Sequence, residues 1–144
     1  MTTTINEARE AIYQAFVTGW GARTAYQLEG VPFDEPGIDI EWVRVVVRNF
    51  TGTTETMGDV DQKKHRRNAA VIISIFTPAD QGMKSGAEHA QFALGLFESK
   101  NIAVPSSAET LDCIAGDVRE IPLGDDEKSR MTEVEVPFAF TQTK

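Results

Sequence analysis

Two short apolar segments joined by a polar stretch constrain the fold more than any other feature of this sequence. Residues 42–50 read Trp-Val-Arg-Val-Val-Val-Arg-Asn-Phe, and residues 69–76 read Ala-Ala-Val-Ile-Ile-Ser-Ile-Phe. Both segments are rich in β-branched and aromatic side chains and too short for typical helices, so both predict strands. The polar connection, residues 51–68, is much longer than a hairpin loop of about 2–5 residues. We therefore expect an antiparallel pair of strands with a long flexible loop between them.

The first of these strands predicts two faces of different character. Because side chains alternate along a strand, Val43, Val45 and Val47 share one face, which belongs on the core. The opposite face carries Trp42, Arg44, Val46, Arg48 and Phe50. Tryptophan, phenylalanine and arginine are enriched at protein interfaces, so an interface with another subunit or partner is one interpretation. A sheet edge on which arginine stems cover apolar neighbours is the alternative.

Two amphipathic helices are predicted, one before the first strand and one after the second. Thr4 and Glu7 form a capping box, after which apolar residues recur at helical spacing. Ser85 and Glu88 predict a second capping box, followed by an alanine-rich helix that ends near Lys100. The two helices and the strands they flank indicate a protein that combines α and β layers.

The C-terminal part predicts further strands. Residues 134–140 alternate between apolar and polar side chains, and Pro137 within them indicates an edge or a bulge. Weaker strands are expected near residues 26–28 and over residues 110–121, where Gly116 interrupts the pattern. The order of elements predicts one α+β domain over residues 1–144, with a mainly antiparallel or mixed sheet and two helices packed on one face. A chain of this length buries a core without disulfides or metals.

A search for residues that carry chemistry finds little. Cys113 is the single cysteine and lies among apolar residues, which favours a small buried side chain. His65 lies in a basic run, and His89 has no second His or Cys at metal-ligand spacing. Asp59 and Asp61 lack the other ligands of a calcium loop. We expect no catalytic residue, metal or cofactor; a small enzyme or ligand-binding domain that uses Cys113, His89 or the two aspartates is the alternative.

Charge is distributed unevenly along the chain. The net charge is −8, yet Lys63, Lys64, Arg66 and Arg67 lie within five residues, and acidic residues are frequent after Ser107. Separate basic and acidic surfaces allow identical copies to pack head to tail. The basic run could also contact DNA non-specifically through phosphates. A sequence pI near 4.7 does not favour an independent nucleic-acid-binding domain.

Targeting signals are not evident in the sequence. No segment approaches the roughly 20 consecutive apolar residues that cross a bilayer. The first ten residues lack the basic and apolar regions of a signal peptide. We therefore expect no membrane partner and a protein that is made in the cytoplasm or assembled there into a particle.

The order of segments is similar to that of a known group of proteins. The segments that carry the similarity are residues 42–47, the Met-Gly step at 57–58, the Arg-Arg-Asn-Ala-Ala-Val-Ile-Ile-Ser-Ile-Phe-Thr-Pro run at 66–78, the glycine-containing turn at 81–86, and the Leu-Gly-Leu-Phe-Glu-Ser helix end at 94–99. This order resembles the small tail terminator, or tail completion, proteins of long-tailed bacteriophages, including a related phage family of unknown function.

The resemblance implies a structural virion protein without enzyme activity or cofactor. Such proteins form a ring, usually a hexamer, that caps the tail tube at the head–tail junction, ends tail polymerisation and enables head joining. The implied partners are further copies of the chain, the major tail tube protein and a head-completion or neck protein. We assign Trp42, Arg44, Val46, Arg48 and Phe50 to subunit or tube contacts, and the basic loop with Lys63, Lys64, Arg66 and Arg67 to the lumen or a neighbouring ring. A neck or head–tail adaptor protein is the alternative.

Overall fold

A computed structural model describes residues 3–34, 40–54, 64–78, 83–105, 107, 109–121 and 129–143. In these ranges the elements are α1 (Ile5–Trp20), β1 (Ala25–Leu28), β2 (Trp42–Thr54), β3 (Lys64–Pro78), α2 (Lys84–Phe97), β4 (Asn101–Val104), β5 (Glu109–Cys113), β6 (Asp117–Ile121) and β7 (Ser129–Thr143). The strands form one sheet in the order β1-β2-β3-β7-β5-β4, and β6 also pairs with β7. Strands β1 and β2 are parallel, and the other described pairs are antiparallel. The predicted α+β class is confirmed.

Both helices pack against the same side of the sheet, which we call the inner face. Alternate residues of β2, β3 and β7 are buried there because strand side chains point to opposite faces in turn. The apolar residues among them are Ala69 and ten larger ones: Val43, Val45, Val47, Val71, Ile73, Ile75, Val134, Val136, Phe138 and Phe140. Helix α1 adds Ala8, Ile12, Phe16 and Trp20, and α2 adds Ala90, Ala93 and Phe97. The prediction that the valine face of β2 lies on the core is confirmed.

Helix α1 begins and ends as its sequence indicates. The Thr4 hydroxyl accepts a hydrogen bond from the Glu7 backbone N–H at 3.1 Å, and the Glu7 carboxylate accepts one from the Thr4 N–H at 3.2 Å. This is the predicted capping box, which satisfies two of the N–H groups that a helix start leaves unpaired. The helix continues through Gly19 and stops at Gly21, whose φ of 59° is the left-handed conformation that glycine adopts most easily.

Helix α2 differs from its prediction at both ends. Met83 is the N-cap residue and no side chain caps the helix, so the predicted Ser85–Glu88 capping box is wrong. The Ser85 hydroxyl donates instead to the Glu41 carboxylate at 2.6 Å. A hydrogen bond to an ionised carboxylate is stronger than one between neutral groups. This explains why the Ser85 side chain binds Glu41 instead of capping the helix. The helix ends at Phe97, and the next few residues form β4, a four-residue strand too short to produce a clear alternation.

Half of the predicted loop over residues 51–68, namely 51–54 and 64–68, is strand. The β2–β3 ladder continues from Thr51 opposite Asn68 to Thr54 opposite His65. Threonine favours strands, but a run of polar residues shows no apolar alternation. The strand end predicted from the hydrophobic pattern therefore came before the observed one. Residues 55–63 lie outside the described part of the chain. The prediction of a long flexible loop at 51–68 is therefore wrong for the residues on either side of that gap.

Pro137 lies at an irregularity of the sheet, in agreement with the predicted edge or bulge. Three residues (114–116) separate the β5 pairing from the β6 pairing, opposite only two residues of β7 (136 and 137). Strand β7 pairs with β3 in continuous register on one side and with β5 and then β6 on the other. Pro137 falls where the second partner changes from β5 to β6, and its carbonyl accepts from the Ile114 N–H at 3.0 Å. The N–H and C=O of one strand residue face the same neighbour. The backbone nitrogen of Pro137 therefore faces the gap between the β5 pairing and the β6 pairing. No strand carbonyl requires a hydrogen bond from it there.

Candidate assembly surface

The sheet side opposite the helices, which we call the outer face, contains most of the residues predicted to form an interface. Strand register aligns its side chains in four rows across β2, β3, β7 and β6. The rows are Trp42–Phe76–Met131–Ile121, Arg44–Ser74–Glu133–Arg119, Val46–Ile72–Glu135–Asp117, and Arg48–Ala70–Pro137. Neither α1 nor α2 covers this face, since both pack on the inner one.

The outer face mixes apolar and charged side chains that are only partly covered. Arg44 and Arg48 are exposed, whereas Trp42 and Ala70 are buried, with 4% and 6% exposure. The half-buried apolar residues of the face are Val46, Ile72, Phe76, Met131, Ile121 and Pro137. A half-covered apolar surface that also carries arginines is typical of protein interfaces.

Trp42 and Arg44 form a stacked group at one end of the face. The Trp42 ring lies 4.4 Å from the Phe76 ring and 5.4 Å from the Phe33 ring, centroid to centroid. The Arg44 guanidinium carbon lies 5.3 Å from the Trp42 centroid and 5.5 Å from that of Phe76. Its Nε donates to Gln27 at 3.2 Å. Arg44 thus lies against the rings with its guanidinium while the side chain stays exposed. The alternative of a sheet edge covered by arginine stems is wrong in one respect, since β2 pairs with β1 and β3 and is not an edge.

Arg48 has a partner within the chain. Its Nη1 lies 2.7 Å from Glu29 Oε1, and the two side chains are 55% and 34% exposed. Exposed ion pairs of this kind contribute about 0–1 kcal/mol, so the pair does not prevent Arg48 from contacting another molecule. Glu29 also acts on Tyr13, which is partly buried. Burial, and after it the Glu29 charge, raises the pKa of the Tyr13 hydroxyl.

Phe50 is not on the outer face, contrary to the prediction. A β-bulge between Arg48 and Thr51 inserts one extra residue and so reverses the alternation of β2. The Phe50 ring therefore packs on the inner side, 6.5 Å from the Phe138 ring and 6.4 Å from the Phe140 ring. Phe50 belongs to the core rather than to an interface. The alternation rule could not predict this, because no sequence signal marks the bulge.

The basic residues are strand residues with partners in the chain, not members of a loop. Arg66 Nη2 lies 3.1 Å from Asp112 Oδ2, and its Nη1 donates to Thr141 at 3.3 Å. Arg67 Nε donates to Gln142 at 2.8 Å. Lys64 is the first residue of β3, and Lys63 lies outside the described residues. The placement of Lys64, Arg66 and Arg67 in a projecting loop is therefore wrong.

The acidic and basic segments that are separate in the sequence also meet within the fold. The Arg66–Asp112 pair links β3 to β5, and Arg119 Nη1 lies 3.6 Å from Glu133 Oε1. In both pairs the arrangement of the strands in the sheet brings the two residues close together. Neither pair could be predicted from the spacing of the residues in the sequence. Part of the charge expected to face a second copy is thus balanced within one chain.

A second polar cluster joins three segments of the chain. Glu41 accepts hydrogen bonds from Ser85 at 2.6 Å and from His89 Nε2 at 2.5 Å. Arg23 Nε donates to His89 Nδ1 at 2.9 Å. Because the arginine can only donate, Nδ1 of His89 is the acceptor and Nε2 carries the proton. Sequence reasoning missed this cluster because Arg23, Glu41 and the α2 residues lie far apart in the chain.

The cluster holds a charged carboxylate at the base of α2. Partial burial by itself would raise the pKa of Glu41, but the hydrogen bonds from Ser85 and His89 outweigh burial and keep it below its ordinary value. Arg23 completes the group by stacking on the Phe92 ring, with its guanidinium carbon 4.2 Å from the centroid. The arrangement ties α2 to the start of β2 and the end of α1.

This geometry does not prepare a nucleophile. Both ring nitrogens of His89 are engaged, and the Ser85 hydroxyl bonds to a carboxylate rather than to the histidine. Cys113 is 6% exposed, as predicted for a small buried residue, and burial followed by the Asp112 charge raises its pKa to about 11. At neutral pH the thiol is protonated and unreactive.

Other features of the described residues also lack chemistry. No group of three or more His, Cys, Asp and Glu side chains in the described ranges could hold a metal ion. A hollow of about 380 Å³ lies between α1 and β4. It is lined by Ala11, Gln14, Ala15, Thr18, Gly19, Asn101, Ile102, Ala103 and Pro105, none of which titrates. Neither α1 nor α2 is long and apolar enough to span a membrane.

Comparison with known proteins supports the fold alone. No protein-family model and no curated protein matches this chain. Among the matching solved structures is one whose name states no function, with a TM-score of 0.57 and 12% sequence identity. The alignment covers 94% of this chain and 95% of that one. At this identity the match shows a shared architecture along nearly the whole of both chains.

Proposed function

We propose that this protein is a structural component of a phage virion, a tail terminator whose copies form a hexameric ring on the tail tube at the head–tail junction. The ring ends tail polymerisation and offers a surface for head joining. The resemblance of the segment order to tail terminator proteins supports this proposal. A small α+β domain with two helices on one sheet face agrees with it.

The observation that carries the proposal is the outer face, which neither helix of the described ranges covers. A soluble monomer rarely leaves a continuous, partly apolar surface of this kind without a partner. Here four strands present apolar rows together with Arg44 and Arg48, while both helices pack on the opposite side. In the proposed ring, Arg44, Val46 and Arg48 contact the neighbouring subunit or the tube. Trp42, which is only 4% exposed, supports Arg44 from within the chain.

The basic end of the β2–β3 hairpin has a secondary role in this proposal. The hairpin continues past the bulge to the pair of Thr54 and His65. Lys64, the first residue of β3, is exposed there. In a ring, this end faces a neighbouring ring or the lumen, where its positive charge would meet the phosphates of passing DNA without sequence preference.

Reversing the charge of the outer face tests the assembly. Arg44→Glu with Arg48→Glu should leave a folded chain that no longer assembles, because the substituted charges would repel acidic neighbours. Size-exclusion chromatography with light scattering in the presence of tail tubes measures this. Lys84→Glu with Lys100→Glu changes the net charge equally on exposed positions away from the outer face, and this control should assemble normally. Unchanged assembly of the Arg44/Arg48 variant would exclude this surface.

Electron microscopy of particles that lack this protein separates the two virion functions. Loss of a terminator leaves nothing to stop the tube, so tails of abnormal length are expected. Normal-length tails that fail to join heads would instead identify a neck or head–tail adaptor. Normal, infectious particles would reject both and return the question to a ligand-binding or enzymatic role, which a turnover lost on Cys113→Ser would support.

A further inference from the structure

The outer face is electrically polarised about its central strand, β3. On one side of β3, strand β2 carries Arg44 and Arg48; on the other side, β7 carries Glu133 and Glu135. Arg44 and Glu133 both lie opposite Ser74, so they stand in one row, about 10 Å apart at the usual strand spacing. The basic residues of β2 and the acidic residues of β7 therefore lie on opposite sides of β3.

We propose that, in the free protein, the outer face binds the same face of a second copy, with a two-fold axis parallel to β3. Rotation about this axis lays β2 of each copy over β7 of the other and keeps every row in place. Arg44 then meets Glu133 of the second copy twice, once on each side of the axis. Such a contact is isologous, since the same patch serves both copies.

The first row and the axis itself are apolar under this operation, whereas in the third row Val46 lies over Glu135 of the second copy, whose carboxylate must reach solvent. In the first row, Phe76 meets Phe76 of the second copy, and Met131 lies over the Trp42 ring beside the Arg44 guanidinium. At the axis, Ile72 meets its own copy. Two sheets that pack in this way keep their strands within about 30° of each other, the arrangement of a β-sandwich.

The charge pattern selects this axis over the other in-plane one. A two-fold axis that runs across the strands through the row of Val46 would place Arg44 of one copy over Arg48 of the other. Like charges in direct apposition cost several kcal/mol at an interface. The axis along β3 avoids this Arg44–Arg48 clash and pairs Arg44 with Glu133 instead. Beyond the four rows it brings Arg66 of β3 towards its own copy, where the Arg66–Asp112 pair within each chain balances the charge.

The size of the patch predicts a weak complex. Four strands at about 4.8 Å spacing and seven residues at about 3.4 Å each cover roughly 460 Å² on each copy. The total of about 900 Å² is below the roughly 1,200–2,000 Å² of a stable interface. The pair should therefore form and separate readily, which leaves the face available to a stronger partner.

This inference goes beyond the proposed ring and does not depend on it. The pair and the ring use the same residues and exclude each other, so the pair describes the chain before assembly. It would keep a half-apolar surface covered until the tube offers a larger contact.

Sedimentation equilibrium of the free protein over a concentration series tests the pair. The wild type should show a monomer–dimer equilibrium that shifts to monomer as salt is added. Arg44→Glu alone and Glu133→Arg alone should each weaken dimerisation about tenfold or more, because each places like charges together twice. The combined variant Arg44→Glu with Glu133→Arg restores opposite charges and should return dimerisation to near the wild-type value.

A control separates the contact between copies from a general change of net charge. Lys100→Glu makes the same charge change as Arg44→Glu at an exposed position away from the outer face, so its dimerisation should stay near that of the wild type. Circular dichroism verifies that each variant is folded; if a reversal variant is not, Arg44→Gln and Glu133→Gln replace it, and each should weaken the dimer. A wild type that is monomeric throughout, a free hexamer, or a combined variant without recovery would overturn the two-fold pair. None of these results decides the tail phenotype of particles that lack the protein.

Discussion

The two faces of the sheet are built from the same strands but meet different surroundings. On the inner face, alternate residues of β2, β3 and β7 are buried under two helices. On the outer face, the intervening residues are arginines, glutamates and half-buried apolar side chains. The inner face accounts for folding, since dry apolar burial is the dominant favourable contribution. Apart from Trp42 and Ala70, the outer face contributes less of this burial, and it is the surface that we propose for association.

Neighbouring isoleucines on opposite faces give the sharpest test of this difference. Ile73 is fully buried on the inner face, whereas Ile72 is half-buried on the outer face. Ile73→Ala should lower the free energy of unfolding by about 2–5 kcal/mol, because it leaves a cavity in a packed core. Ile72→Ala should cost about 1 kcal/mol, since its side chain already contacts solvent. Denaturant unfolding measures both; equal losses would mean that the outer face is as well packed as the inner one.

The Glu41 cluster should contribute a smaller, pH-dependent part of the stability on the inner side. Glu41→Gln should cost about 1–3 kcal/mol at pH 7, because it leaves a buried hydrogen-bond donor poorly matched. The folded pKa of Glu41 lies below its ordinary value, so its stabilisation is complete above about pH 4.3 and is lost as the pH falls through the folded pKa. The gap between wild type and variant in urea unfolding should therefore narrow in acid. A gap that is constant down to acidic pH would contradict this account.

Arg44 should have the smallest effect on stability and a clear effect on association. Arg44→Gln removes the contacts with the Trp42 and Phe76 rings, which at an exposed site contribute about 0.5–1 kcal/mol. Thermal unfolding should change accordingly little, while the dimer signal in sedimentation should fall. A large loss of stability without any change in association would show that Arg44 belongs to the fold rather than to the surface.

Much of the fold was readable from local patterns. The Thr4–Glu7 capping box, the buried valines of β2 and the alternating apolar residues of β7 follow from spacing alone. The α+β class followed from the order of these elements. Strand β4 and the polar half of the β2–β3 ladder were missed because neither has an apolar period. The irregularity predicted from Pro137 is present, where the neighbour of β7 on one side changes from β5 to β6.

The candidate surface was only partly predictable. Trp42, Arg44, Val46 and Arg48 lie on the outer face as the alternation indicates, but the bulge after Arg48 moves Phe50 to the core. Contacts between residues of distant segments could not be predicted from the local spacing of residue types. Examples are the ion pair of Arg66 with Asp112 and the Glu41–His89 bond.

The sequence by itself determined which side chains of a strand share a face, where the first helix begins and ends, and that Cys113 is a buried side chain. Steric rules and periodicity act over a few residues, and they need no knowledge of the rest of the chain. Only the tertiary structure decided which strand lies beside which, where the alternation of β2 reverses, and which charges neutralise each other within the chain. These depend on contacts between residues far apart in sequence, and it is the arrangement of strands around β3 that places Arg44 and Glu133 in one row.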